Sequence, residues 1–228
     1  MESLESFAQN AIAKRQPATV SIAEALREAI LKGALKGGDP LRQEAIAKQF
    51  AVSQVTVREA FRLLEHEGLV EVIPRRGAVV YTLSPADVSE ITDLRAMLEV
   101  RLIEASIPHL SAADYEMAET TIEQLEQAHH TDDLIALNVL FHKCLYSKAN
   151  RPRTTAILDR LRISMEPYLR LLWSKTGYKM QSQADHKEIL VLCKAGKVAA
   201  AQKYLRLNIE KTGKEIEQLL CSQEKKGT

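Results

Sequence analysis

Glycine is unevenly spread along the 228 residues: Gly33, Gly37, Gly38, Gly68 and Gly77 crowd the first third, and only Gly177, Gly196, Gly213 and Gly227 follow. A chain broken this often holds only short elements, whereas a chain with few breaks can run in long helices. Two architectures are therefore expected in one polypeptide. The change falls at Ser84-Pro85-Ala86-Asp87, where a serine cap, a proline at the first helical position and an acid at the third make a strong helix start. Domains of 1–82 and 83–228 follow.

In the first part, Ile22, Leu26 and Ile30 repeat every four residues and predict a helix from Val20 to Gly33. Gly37-Gly38-Asp39-Pro40 forces a turn, and Gln43 to Phe50 forms a brief second helix with Ile46 and Phe50 inward. Ala51-Val52 leaves room only for a tight connection. Ser53 caps a third helix ending near Glu67-Gly68, with Val57, Phe61 and Leu64 on one face and Gln54, Arg58 and Arg62 on another. Leu69 to Ile73 and Ala78 to Tyr81 are β-rich and joined through Pro74-Arg75-Arg76-Gly77, the pattern of a hairpin. Three helices and a hairpin in this order make a winged helix-turn-helix.

Beyond the boundary β signals nearly vanish. Helical stretches are expected over 85–107, 111–129, 132–148, 153–176, 181–195 and 197–221, separated by proline, glycine and polar stops. Short links between amphipathic helices imply an antiparallel bundle, so the fold class is mainly α. The polar tail from Ser222 to Thr228 is expected to be disordered.

Composition sets limits. A hydrophobic content of 46% fills a real core, but a net charge of +1 gives no overall basic bias, so any nucleic-acid role must rest on where charges are placed. Cys144, Cys193 and Cys221 are widely spaced and odd in number, which predicts reduced, buried thiols. The acidic Met-Glu-Ser-Leu-Glu start lacks the basic region of a secretory signal, and no apolar run nears the roughly 20 residues of a membrane span; a cytoplasmic address is expected.

A recognition helix must bury one side and leave its first turns free to enter a major groove about 12 Å wide. Gln54 and Arg58, four apart, share one face; Ser53 and Thr56 are short hydroxyls suited to phosphate or base contact. Arg75 and Arg76 sit at the hairpin tip, where a wing reaches the minor groove or the backbone. A polar helix face is more often simply solvated; the joint order of helix, turn, helix and wing makes DNA the stronger reading.

These residues resemble the GntR family of bacterial transcription regulators. The matching elements are Ile22-x3-Leu26-Arg27-x2-Ile30-Leu31-x-Gly33, Leu35-x2-Gly38, Leu41, Ile46-Ala47, Val52-Ser53, Val57-Arg58-Glu59-Ala60, Leu64-x2-Glu67-Gly68-Leu69-Val70 and Arg76-Gly77. The resemblance implies that Ser53, Gln54, Thr56, Arg58 and the wing around Arg76-Gly77 face DNA. The family usually carries arginine where this chain has Gln54, which implies a different operator preference.

The helical remainder resembles the FCD domain of the FadR subfamily, in the six-helix form of VanR-like members, through Ile91-Thr-Asp-Leu-Arg95-Ala-Met-Leu-Glu99, Phe141-His142, Asn150 and His186-x2-Ile189. That resemblance implies a homodimer, a small-molecule effector and a divalent metal, zinc or nickel, held by an aspartate and three histidines. Here the corresponding positions are Asn138, His142, His186 and Asn208, so two ligands are replaced by amides. A degenerate metal site and a polar cavity that hydrogen-bonds an organic ligand both remain open. Arg95 is implied as the partner of a carboxylate-bearing effector, the alternative being an internal pair with Glu99 at i,i+4. The function implied is operator binding, as a repressor, modulated by a metabolite. The alternatives are a metal-dependent helical enzyme, for which no nucleophile or phosphate-loop motif is present, and an interaction adaptor that does not bind DNA.

Overall fold

The structure, a computed structural model, describes residues 17–175 and 178–224; the N-terminal acidic start, the Gly177 break and the end of the polar tail lie outside the described residues. Two compact units are present, one of residues up to Leu83 with Arg160–Pro167, the other of Ser84–Asp159 with the chain from Tyr168 onward. Each unit has its own hydrophobic core.

In the first unit α1 (Ala18–Leu31) buries Ile22, Leu26, Ala29 and Ile30, starting just after Pro17, two residues earlier than its apolar stripe alone marks. Next come β1 (Pro40–Leu41), α2 (Gln43–Phe50), α3 (Gln54–His66), β2 (Val70–Ile73) and β3 (Gly77–Val80). Between α2 and α3, Ala51 is left-handed at φ 54°, and Val52 N–H returns to Ala47 C=O at 3.0 Å. This closes the helix-turn-helix within the three residues 51–53 that separate the helices. Arg27 grips Glu67 through two hydrogen bonds of 2.7 and 2.6 Å, pinning α1 to the end of α3.

The sheet order is β1-β3-β2, antiparallel throughout. β1 is an addition to the expected hairpin, since the pattern Gly37-Gly38-Asp39-Pro40 marks only a turn there. Gly77 lets it dock: at φ 100°, a Cβ there would stand 2.2 Å from the Leu41 carbonyl oxygen.

The second unit contains α4 (Pro85–Ser106), a 3-10 turn (Ile107–His109), α5 (Ala112–Gln127), α6 (Thr131–Tyr146), α7 (Pro152–Lys175), α8 (Tyr178–Lys194) and α9 (Val198–Glu224). Ser84 and Asp87 form a reciprocal capping box at the start of α4, and Ser111 with Asp114 repeats it on α5. α5 and α8 lie antiparallel, tied by Glu119 to Lys194 at 2.6 Å and Glu126 to Lys187 at 2.5 Å. α9 runs antiparallel along α4: Gln202 donates to the Val100 carbonyl, and Gly213 comes so close to Thr92 that a Cβ would meet its Oγ1 at 2.3 Å. Gly213 is thus a packing glycine.

All three thiols are free, as expected, but only Cys144 and Cys193 are buried; Cys221 is exposed, a correction to the reading of all three as small core residues. On α9 it follows the buried Leu220 and so lies off the face that Ile209, Ile216 and Leu220 bury. No helix among the described residues is long and apolar enough to cross a membrane.

Candidate nucleic-acid interface and bundle site

The ridge at the start of α3 is built by its cap. Ser53 Oγ accepts the Thr56 N–H at 3.2 Å and lies 2.8 Å from Thr56 Oγ1, so both hydroxyls hold the first turn while staying at the surface. Val57, Ala60, Phe61 and Leu64 are buried, which rotates Gln54, Arg58 and Arg62 outward. Arg62 pairs with Glu59 at 2.9 Å, whereas Arg58 has no ion-pair partner among the described residues. No acid occupies the first turn, so the helix dipole there is left to favour an anion such as phosphate.

Val55 was missed by sequence reasoning. It stands 57% exposed beside Gln54 on the opening turn. An exposed β-branched side chain there suits a thymine methyl, and its off-stripe position was the available signal.

The wing places its arginines at a turn. Arg76 N–H bonds Ile73 C=O at 3.0 Å, with Pro74 and Arg75 between them, and Arg75 is left-handed at φ 65°. Turns of this kind favour glycine or asparagine at that position, so the arginine costs on the order of 1 kcal/mol. Arg75 and Arg76 are both exposed; Gly77 is buried, and its contribution is to the backbone that shapes the wing.

In the bundle, the structure brings together His142 and His186, both buried, with ring centroids 5.2 Å apart and edge to face. Phe141 lies 4.5 Å from the His186 ring. Burial holds His186 down at about 4, with Asp185 opposing that shift, so the ring is neutral; its Nδ1 has no hydrogen-bond partner among the described residues. The chain folds back at Gly196, left-handed at φ 64°, and Asn208 Nδ2 donates to Asp185 Oδ2 at 3.3 Å. Asn138, one turn before His142 on α6, is half-buried. His66, His109, His129 and His130 are exposed and outside the cluster.

Arg95 makes the internal pair: its Nε and Nη2 each lie 3.0 Å from Glu99 Oε1. Glu99 is completely buried, and its second oxygen accepts the Tyr146 hydroxyl at 2.7 Å, which lies 3.3 Å from His142 Nδ1. Glu99, Tyr146 and Asp185 thus belong to the polar centre although sequence reasoning gave none of them a site role. Carboxylates on long helices ordinarily read as solvated, and only the i,i+4 spacing of Arg95 and Glu99 hinted otherwise.

The donor set fits a metal poorly. Zinc and nickel take imidazole, thiolate or carboxylate, and two of the four positions offer neutral amides, one of which already donates to Asp185. Among the described residues no three His, Cys, Asp or Glu side chains are gathered as a metal site requires.

An exposed arginine-bearing ridge on a capped helix, backed by a short turn and flanked by a basic wing, defines a winged-helix DNA-binding transcriptional regulator. Family comparison agrees: residues 18–80 match the bacterial regulatory proteins, gntR family, and residues 90–211 match the FCD domain. The chain belongs to the GntR family and carries an FCD domain. It is 32% identical over 140 residues to the HTH-type transcriptional regulator YdhC of Bacillus subtilis, a match spanning 60% of this chain and 62% of that protein. It is 30% identical over 159 residues to the gluconate operon transcriptional repressor of the same organism, covering 67% of this chain and 63% of the repressor. A crystal structure of a GntR family transcriptional regulator from Pseudomonas syringae superposes with a TM-score of 0.60 at 34% identity, over 99% of this chain and 97% of that one. These relatives are transcriptional regulators, not enzymes.

Proposed function

We propose that the chain is a cytoplasmic homodimeric repressor whose operator affinity is set by a small metabolite bound in the helical domain. The observation that carries the DNA reading is the outward placement of Gln54 and Arg58 opposite a fully buried Val57-Ala60-Phe61-Leu64 face. Arginine pairs with guanine and glutamine with adenine through two hydrogen bonds each, while Ser53, Thr56, Arg75, Arg76 and the backbone around Gly77 set register against the phosphates. Two heads joined by a two-fold axis would read half-sites about 34 Å apart. Repression follows the named function of the gluconate operon relative.

The effector reading rests on the buried polar centre. His186 offers a nitrogen without a partner among the described residues, and Asn138 and Asn208 supply amides where a metal would want charge. We read the site as one that holds its ligand by hydrogen bonds without a metal. A ligand carboxylate would have to share or exchange the Arg95 guanidinium with Glu99, shifting the balance between states of α4 and thereby of the DNA-bound form. The test is a gel shift of the full chain on the DNA upstream of its own gene, with nonspecific competitor, at two salt concentrations. A discrete complex that survives competitor supports the reading; binding no tighter than to random DNA sinks it.

A further inference from the structure

Helix α4 buries Val88, Thr92, Ala96, Glu99, Leu102, Ile103 and Ser106 in the bundle. Its opposite face carries Glu90, Leu94, Met97 and Arg101, spaced four, three and four apart, the seam spacing of a helix that packs on another helix. That face is open: Leu94 is 38% and Met97 51% exposed, and the Arg101 side chain is 63% exposed.

The order along the seam is acid, apolar, apolar, base. Laid antiparallel on a second copy, with the two-fold axis between Leu94 and Met97, each Glu90 faces an Arg101 and each Leu94 faces a Met97. A parallel pairing would set Glu90 against Glu90 and Arg101 against Arg101. A two-fold interface repeats every contact, so a strip self-complementary only when turned end for end is matched to a second copy of this chain. Arg101 now pairs with its own Glu104 at 2.6 Å. An exposed i,i+3 pair of this kind holds the guanidinium weakly and leaves it available for sharing.

We propose that the Glu90-Leu94-Met97-Arg101 face of α4 is the surface through which two helical domains associate. This rests on the homodimer reading above and assigns it a face and a register.

Sedimentation of the full chain across a concentration series tests it, with Arg101→Glu, Glu90→Arg, the double substitution, and Leu94→Glu, each checked for unchanged far-UV circular dichroism and melting. Each single substitution is expected to weaken the dimer by about tenfold or more, the two charge reversals because like charges then meet twice across the axis and Leu94→Glu because it sets a carboxylate against the apolar Met97, and the double substitution should restore it to within about threefold. A wild-type dimer indifferent to all three single substitutions overturns the face while leaving the dimer standing. Single substitutions that weaken without rescue by the double one overturn the antiparallel register. A wild-type chain that stays monomeric throughout overturns both this surface and the homodimer reading.

Discussion

The Arg95 guanidinium lies 3.0 Å from the Oε1 of Glu99, a carboxylate with no solvent exposure. Removing the cation leaves a buried charge without its counterion, which costs about 3–5 kcal/mol; removing both charges together costs far less. Arg95→Met should therefore destabilise the chain strongly in urea unfolding, and Glu99→Leu added to it should recover most of the loss. A small effect of Arg95→Met alone would show that the pair does not carry the stability ascribed to it.

The wing stores strain where its charge is displayed. Arg75 sits left-handed at φ 65°, so Arg75→Gly should relieve on the order of 1 kcal/mol of backbone cost. If the arginine is retained for DNA, the same substitution raises the melting temperature while lowering DNA affinity and flattening its salt dependence. Equal DNA binding by the two proteins would remove Arg75 from the interface.

His186 gives the fold an acid limit. Burial lowers its folded value from 6.5 to about 4, so the unfolded chain takes up a proton first. Its contribution is complete above pH 6.5 and is lost as pH falls toward 4, amounting to about 2 kcal/mol at pH 5. Urea midpoints at pH 7 and pH 5 should differ by less in His186→Leu than in the wild type; an equal difference would contradict the assignment.

Metal retention separates the two readings of the bundle. After incubation with zinc and dialysis, native mass spectrometry should find the wild-type chain without stoichiometric metal, whereas Asn138→Asp with Asn208→His should retain one ion. One equivalent on the wild type, lost on His142→Ala, would restore the metal reading.

Local chemistry made much of this fold legible from the sequence. Ser84 with Asp87 and Ser53 with Thr56 are caps whose meaning lies within four residues, and the alternation of Ile22, Leu26 and Ile30 is visible without any tertiary context. Pro40-Leu41 was not legible as a strand, because two residues show no alternation and the pairing depends on Gly77, far along the chain. The bundle centre was half legible: His142 and His186 stood out as residue types, but Glu99, Tyr146 and Asp185 are drawn in only by packing between helices. Cys221 departed from its type because it lies off the face of α9 that Ile216 and Leu220 bury.

The central claim is that the opening turns of α3 read base edges, and Arg58 tests it most directly. Fluorescence anisotropy with operator and random duplexes, at matched salt, should show Arg58→Ala losing about 1–3 kcal/mol on the operator, with a narrowed preference over random DNA. Operator affinity and preference both unchanged by that substitution would contradict the account.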